Sequence, residues 1–339
     1  MTDTPAPRQL PGCAVLLRSA GADPVGTASP MGGWLLVEHP GPWPAGVVDQ
    51  VLTDAMSAVR LRQLHELQAA RAIRPLLIRR PGRDPATRQT GRRRSRPAGL
   101  RVMVGGARGR VVNGTRPVGD GRPWLEALDV DDPDDLGARL DQLDLGAALA
   151  AGTVGGRRVD GPLFLVCTHG TKDVCCATEG RPVAAALARR HPGRVWETTH
   201  LGGDRWAANL LTVPAGYLHG HVDAEQAGRV ADAALAGLVE LDRLRGRTVL
   251  APWAQAAEVA VRRKTGRLGL GTVAVADERM TGDEEAEEYV VAVEAGPERW
   301  LATVRHEALD VCGTSRCAGV LRPSAWVVSG LEPAPDPAG

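Results

Sequence analysis

Lysine is almost absent from this chain. Only Lys172 and Lys264 occur among 339 residues, although Lys and Arg together number 41, so nearly every positive charge is an arginine. With Ala, Gly, Val and Pro abundant, that usage reflects a genome-composition bias more than a function. Aromatics are scarce as well, with one Phe and two Tyr beside eight Trp. The formal net charge is +1, which argues against a polyanion or a membrane surface as a partner for the chain as a whole. No apolar run approaches the roughly 18 residues that a membrane helix needs. The first twenty residues lack a basic leader followed by an apolar core. These absences lead to the expectation of a cytoplasmic protein with no membrane and no nucleic-acid partner. In that compartment six cysteines favour metal or redox use over a disulfide framework.

What is present is concentrated. The stretch from Gly161 to Asn209 holds three of the six cysteines and three of the eight histidines. An apolar run, Leu163 to Val166, reads as a buried strand that delivers Cys167 at its C-terminal end. Cys176 follows after eight intervening residues, in what the spacing predicts as a strand-to-helix loop, with Pro182 near the first turn of the helix. A second strand, Arg194 to Thr198, ends at His200, and Asp204 stands four residues on with Gly202 and Gly203 between. Two thiolates from one loop and two ligands from the next can converge on a small metal centre. Strands at Leu210 to Val213 and Tyr217 to Val222, then a helix from Ala224 to Leu241, complete a thioredoxin-like order.

These residues resemble the sucrase/ferredoxin-like proteins, a branch of the thioredoxin-like [2Fe–2S] ferredoxins. The resemblance rests on Cys-x8-Cys at Cys167 and Cys176, and on H-x-G-G-x-R-x-A-x-N from His200 to Asn209. It implies a [2Fe–2S] cluster in which the two cysteines hold one iron and the histidine side, His200 with Asp204, holds the other. Fungal relatives carry a second histidine where this chain has Asp204. His219 and His221, two apart on the expected strand, are the alternates for that ligand. His169, Asp173 and Cys175 are expected around the ligands, tuning or capping the loop.

The expected fold class is α/β. A thioredoxin-like ferredoxin domain over 152–245 is preceded by an α/β domain over 1–151 and followed by a small α+β domain over 246–339. An internal echo suggests what the first domain is. LLVEHPGPW before a helix at 47–72 matches the layout of FLVCTHGTK, at an offset of about 130 residues, with His39 opposite His169. The first domain would then be a degenerate repeat without the cluster ligands. The bland alternative is that any two α/β segments look alike at this level.

Elsewhere the signals are weaker. Residues 1–11 are Pro-rich. Residues 82–99 are basic and free of aromatics, which fits a solvated loop or a dock for an acidic redox partner better than nucleic-acid binding. Leu136 to Leu149 reads as one helix. Cys13 opens a short apolar run and reads as packing. Gly266 to Gly271 precedes a strand, so it is a turn and not a dinucleotide fingerprint. Cys312 and Cys317, with four residues between them, read as loop packing or a transient disulfide.

Three functions stay open on the residues alone. One is an electron-transfer protein working with a separate reductase or acceptor. Another is a thiol-disulfide redox enzyme, although adjacent Cys175 and Cys176 are poorly placed for a reversible disulfide. The third is a zinc-stabilised interaction module, for which Cys-x8-Cys is wider than the usual C-x2–4-C spacing.

Overall fold

A computed structural model describes residues 11–82, 99–107, 122–281, 287–309, 313–315, 319–321 and 323–334. The Pro-rich start, most of the basic stretch 82–99, and both Cys312 and Cys317 lie outside the described residues.

Two runs of five strands follow one another. The first is β1 (Gly33–Glu38), β2 (Arg74–Arg79), β3 (Leu100–Gly106), β4 (Trp124–Val130) and β5 (Arg157–Arg158). The second is β6 (Leu163–Cys167), β7 (Val195–Thr198), β8 (Leu210–Val213), β9 (Tyr217–His219) and β10 (Leu244–Arg247). Together they make one mixed sheet in the order β10-β9-β8-β6-β7-β2-β1-β3-β4-β5. Each run repeats one plan. The first strand pairs parallel with the second and antiparallel with the third, and the fourth and fifth continue antiparallel. The runs meet where β2 lies antiparallel to β7, with Ile78 opposite Thr198. Ile78 is also the register partner of Glu38, and Thr198 that of Cys167. Glu38 therefore occupies in the first run the position that Cys167 holds in the second.

Strands β1 and β6 lie in the interior of the sheet, and their apolar side chains are buried on both faces. Helices α2 (Val47–Ala55), α3 (Ala58–Ala69), α4 (Leu136–Asp141) and α5 (Leu145–Ala151) serve the first run. Helices α6 (Val174–Arg190) and α7 (Ala224–Leu235) serve the second, while α1 (Cys13–Ser19) precedes both. Leu35, Val37, Leu64 and Leu77 pack in one core beside the first run, and Phe164, Val166, Leu187 and Val230 in another beside the second.

The helix expected from Ala224 to Leu241 ends at Leu235, and three further helix boundaries differ from the sequence expectation, each for a local reason. The helix expected over 47–72 breaks after Ala55, where Met56 and Ser57 turn extended and Asp141 takes the Ser57 N–H at 2.6 Å. That tertiary bond replaces an intrahelical one. The helix expected over 136–149 divides at Asp144, whose carboxylate caps α5 by accepting from the Ala147 N–H at 2.9 Å. Most consequential for the site, α6 starts at Val174 and not near Pro182, because Asp173 caps it by accepting from the Cys175 N–H at 2.7 Å. Pro182 lies inside the helix.

After β10, which crosses the boundary expected at 245/246, α8 (Pro252–Thr265) leads into an antiparallel sheet of β11 (Val273–Met280), β12 (Glu288–Ala295), β13 (Glu298–Ala308) and β16 (Ser324–Pro333). A short hairpin of β14 (Gly313–Ser315) and β15 (Gly319–Leu321) lies between the last two. Ala254, Ala257 and Val261 of α8 share a core with Val291, Val293 and Val304 of this sheet and with Leu165 and Leu211 of the large one. Gly266 ends α8 in the left-handed conformation, φ +68°, so the glycine-rich segment opens as a helix stop.

Candidate metal centre

Parallel strands open a crevice at their carboxyl ends, and β6 and β7 end there together with Cys167 and Thr198 in register. Cys176, in the first turn of α6, folds back toward Cys167. The helix can approach so closely because residue 180 is glycine: a Cβ there would sit 2.0 Å from the Cys167 carbonyl oxygen. His200 follows β7 by two residues. As a result the two sulfurs and a ring nitrogen of His200 all lie within 4.8 Å of one another. Cys176 Sγ is 3.7 Å from His200 Nδ1. Both cysteines are buried, and His200 is part-exposed.

The electrostatics favour one sulfur anion, at Cys167. The hydrogen bond from the Cys176 thiol holds the Cys167 thiol well below its ordinary range, and the neighbouring His200 adds to this while burial opposes it. Cys176 moves the other way, because it holds the shared proton and is desolvated. Neither cysteine is in a disulfide.

Two arginines from opposite sides of the fold brace the histidine loop. Arg74 of β2 donates to the carbonyl oxygens of His200 at 2.9 Å and Leu201 at 3.1 Å. Arg245 of β10 donates to the Gly202 carbonyl at 2.8 Å, to Asn209 Oδ1 at 2.7 Å and to both oxygens of Thr27. Asn209 in turn donates from Nδ2 to the Gly203 carbonyl at 2.8 Å. Gly203 sits at φ +73°, and a Cβ there would come within 2.4 Å of the Arg245 guanidinium. Burial lowers the Arg245 pKa to about 9, while the Asp204 and Cys167 charges raise it.

Asp204, expected beside His200 as a ligand, is not among these converging donor atoms, and its carboxylate contacts a second group. Its Oδ2 lies 3.9 Å from Cys13 Sγ, and its carboxyl is hydrogen-bonded to Asp173. Cys13 Sγ is 3.8 Å from Cys175 Sγ, and Cys13, Asp173 and Cys175 form a second set of converging donor atoms. Burial and the adjacent Asp204 raise the Asp173 pKa. Cys13 is buried, as its apolar run suggested, but it packs against another thiol.

The other expected residues are spread out. His169 is buried against the first run, with its Nε2–H donating to the Pro44 carbonyl at 3.3 Å and its ring edge-on to Trp43. Burial depresses its pKa. His219 donates from Nε2 to the Glu240 carbonyl at 2.9 Å and lines a cleft of about 580 Å³ with Trp124, Tyr217 and Arg247. Cys167, Cys176 and His200 do not line that cleft. His221 lies past the end of β9 with φ +54°, donates to the Arg205 carbonyl at 3.0 Å and packs on Trp206. Burial lowers both His219 and His221 to about 4. The two rings face different surroundings, so the shared strand face expected from their spacing is not formed.

Sequence reasoning missed three contributors. Arg74 and Arg245 carry no local signal, since an arginine in a strand looks the same whether it faces solvent or a buried loop. Cys13 is 162 residues from Cys175, and nothing in the sequence announces their contact.

A family model described as sucrase/ferredoxin-like matches residues 24–251. No curated protein and no solved structure gave a match.

Proposed function

The chain belongs to the sucrase/ferredoxin-like family, and from that premise we propose that it is a [2Fe–2S] protein that passes electrons between a separate donor and acceptor. The observation that carries this reading is the convergence of Cys167, Cys176 and His200 from two neighbouring loops at the ends of parallel strands. The donor set suits such a cluster. Anionic sulfur in a buried site needs compensating charge and fixed dipoles, and Arg74 and Arg245 supply the charge while holding the histidine loop. Asp204, four residues beyond His200, is the fourth donor in this reading. The order second-first-third-fourth in β7-β6-β8-β9, with α7 following, supports the thioredoxin-like assignment of this half.

When bound, the cluster supplies a one-electron redox centre. The chain's own residues do the rest. Cys167 and Cys176 sit away from water, His200 gives the centre its exposed edge toward a partner, and His169 packs beside them against Trp43 and Pro44. No dinucleotide fingerprint accompanies the site, so in this reading electrons arrive from another protein.

A second reading has one observation in its favour. A single tetrahedral zinc ion would hold a thiolate sulfur and an imidazole nitrogen about 3.5 Å apart, close to the 3.7 Å between Cys176 and His200. Anaerobic purification of the full chain, followed by an absorbance spectrum and iron, sulfide and zinc analysis, separates the two. The electron-transfer reading expects a red-brown protein with two iron and two sulfide per chain. A colourless protein with stoichiometric zinc and no iron would sink it.

A further inference from the structure

The first turns of α1 and α6 bring two buried thiols together. Cys13 and Cys175 are 0% and 3% exposed, and their sulfurs are 3.8 Å apart. Two packed thiols can stand at that distance, so the separation alone decides nothing. The carboxylates decide. Asp173 joins the pair with all donor atoms within 4.8 Å of one another, and Asp204 brings an oxygen to 3.9 Å from Cys13 Sγ. One oxygen of Asp173 caps α6, and its carboxyl also shares hydrogen-bonding protons with Asp204 and the Cys175 thiol, the protons a bound cation would displace.

We propose that Cys13, Cys175 and Asp173 hold a second cation, separate from the centre at Cys167 and Cys176. The chemistry of the donors identifies its class. Two sulfurs and carboxylate oxygen select a borderline-soft divalent ion of the zinc type over magnesium or calcium, which take oxygen alone. A tetrahedral ion with sulfur bonds of about 2.3 Å spaces its two sulfurs by about 3.8 Å, the separation found here. The cation also relieves the crowding of two carboxyls beside two sulfurs at the edge of a buried cluster. Cys13 precedes the residues matched by the family model, so the site belongs to this chain's N-terminal helix. Its structural consequence is to clamp α1 onto α6 and onto the short 3-10 turn Asp204–Trp206, where Leu17 packs on Trp206.

The test uses cobalt(II) as the probe on the full chain carrying Cys167→Ser and Cys176→Ser, which removes the first centre. One equivalent of cobalt with thiolate-to-metal charge-transfer absorption and tetrahedral d–d bands is expected. Adding Cys13→Ser should abolish that absorption, and amide exchange in 13–19 should speed up several-fold. The proposal is overturned if the double variant keeps its far-UV spectrum yet binds no cobalt, or if binding survives Cys13→Ser. Peptide mapping that finds a Cys13–Cys175 disulfide in the protein as isolated would overturn it too. Absence of iron from the wild-type chain would sink the electron-transfer reading and leave this result untouched.

Discussion

The guanidinium of Arg74 donates a 2.9 Å hydrogen bond to the carbonyl oxygen of His200. A residue of the first five-stranded run thus fixes the imidazole loop of the second, and the two halves of the sheet share one site. The same junction is sealed by Arg79 and Glu197, a buried ion pair at 2.7 Å, with Thr168 donating to the same carboxylate at 3.1 Å.

Arg74→Met keeps the length of the side chain and removes both hydrogen bonds to the loop. Charged hydrogen bonds of this kind contribute about 1 to 3 kcal/mol in total, so a melting temperature several degrees lower is expected, along with reduced metal retention after gel filtration. Unchanged metal content at equal folding would show that the loop holds His200 without Arg74.

Substitution of the thiols should split cleanly by group. Cys167→Ser and Cys176→Ser are expected to lose most of the iron, because a neutral hydroxyl is a poor replacement for thiolate at a ferric ion. Cys175→Ser and Cys13→Ser should retain it. Iron and sulfide analysis on the four variants reads this out, and normal iron in both of the first two would remove the assignment.

Asp204→His replaces an anionic donor by a neutral one. With two ferric ions, two sulfides and two thiolates, two imidazoles give a core of zero net charge, whereas one imidazole and one carboxylate give minus one, which opposes adding an electron. The variant should keep the cluster and raise its midpoint potential in a spectroelectrochemical titration. If Asp204→Ala alters neither spectrum nor potential, Asp204 is not a ligand of this centre.

His219 and His221 predict the acid response of the fold. Their folded pKa values, about 4, lie below the ordinary 6.5, so between these limits the unfolded chain binds more protons and stability falls as pH falls. The contribution is present in full above pH 6.5, is lost progressively on the way down to about pH 4, and is on the order of 3 kcal/mol per histidine. Urea unfolding at a series of pH values should give that slope. His219→Gln, which keeps an N–H for the Glu240 carbonyl, should flatten it, and an unchanged slope would contradict the account.

Gly203→Ala tests the tight approach of the loop to Arg245. A left-handed alanine costs roughly 1 kcal/mol in backbone conformation alone, and the added methyl must displace a buried guanidinium. Lower stability and weaker metal retention are expected together. A melting curve equal to wild type would mean that the loop relaxes freely.

Local chemistry made much of this legible. The apolar run ending at Cys167, the eight-residue interval to Cys176 and the His200-to-Asn209 motif each depend on neighbours within one turn or one strand, where propensity and period act directly. The likeness of 35–43 to 164–172 was also readable, and Glu38 stands in the register position of Cys167. Helix ends were less legible, since Ser57 and Asp144 stop helices through one tertiary bond and one side-chain cap that hydrophobic spacing does not encode.

By itself, then, the sequence determined the α/β class, the family, and the cysteines and histidine that converge. Only the tertiary structure decided which side chains surround them. Arg74 and Arg245 reach the site from 126 and 43 residues away along the chain, and Cys13 reaches the neighbouring Cys175 from 162, and a contact of that kind follows from how strands register and helices pack. Periodicity reports which face of an element is buried. It does not report what that face meets.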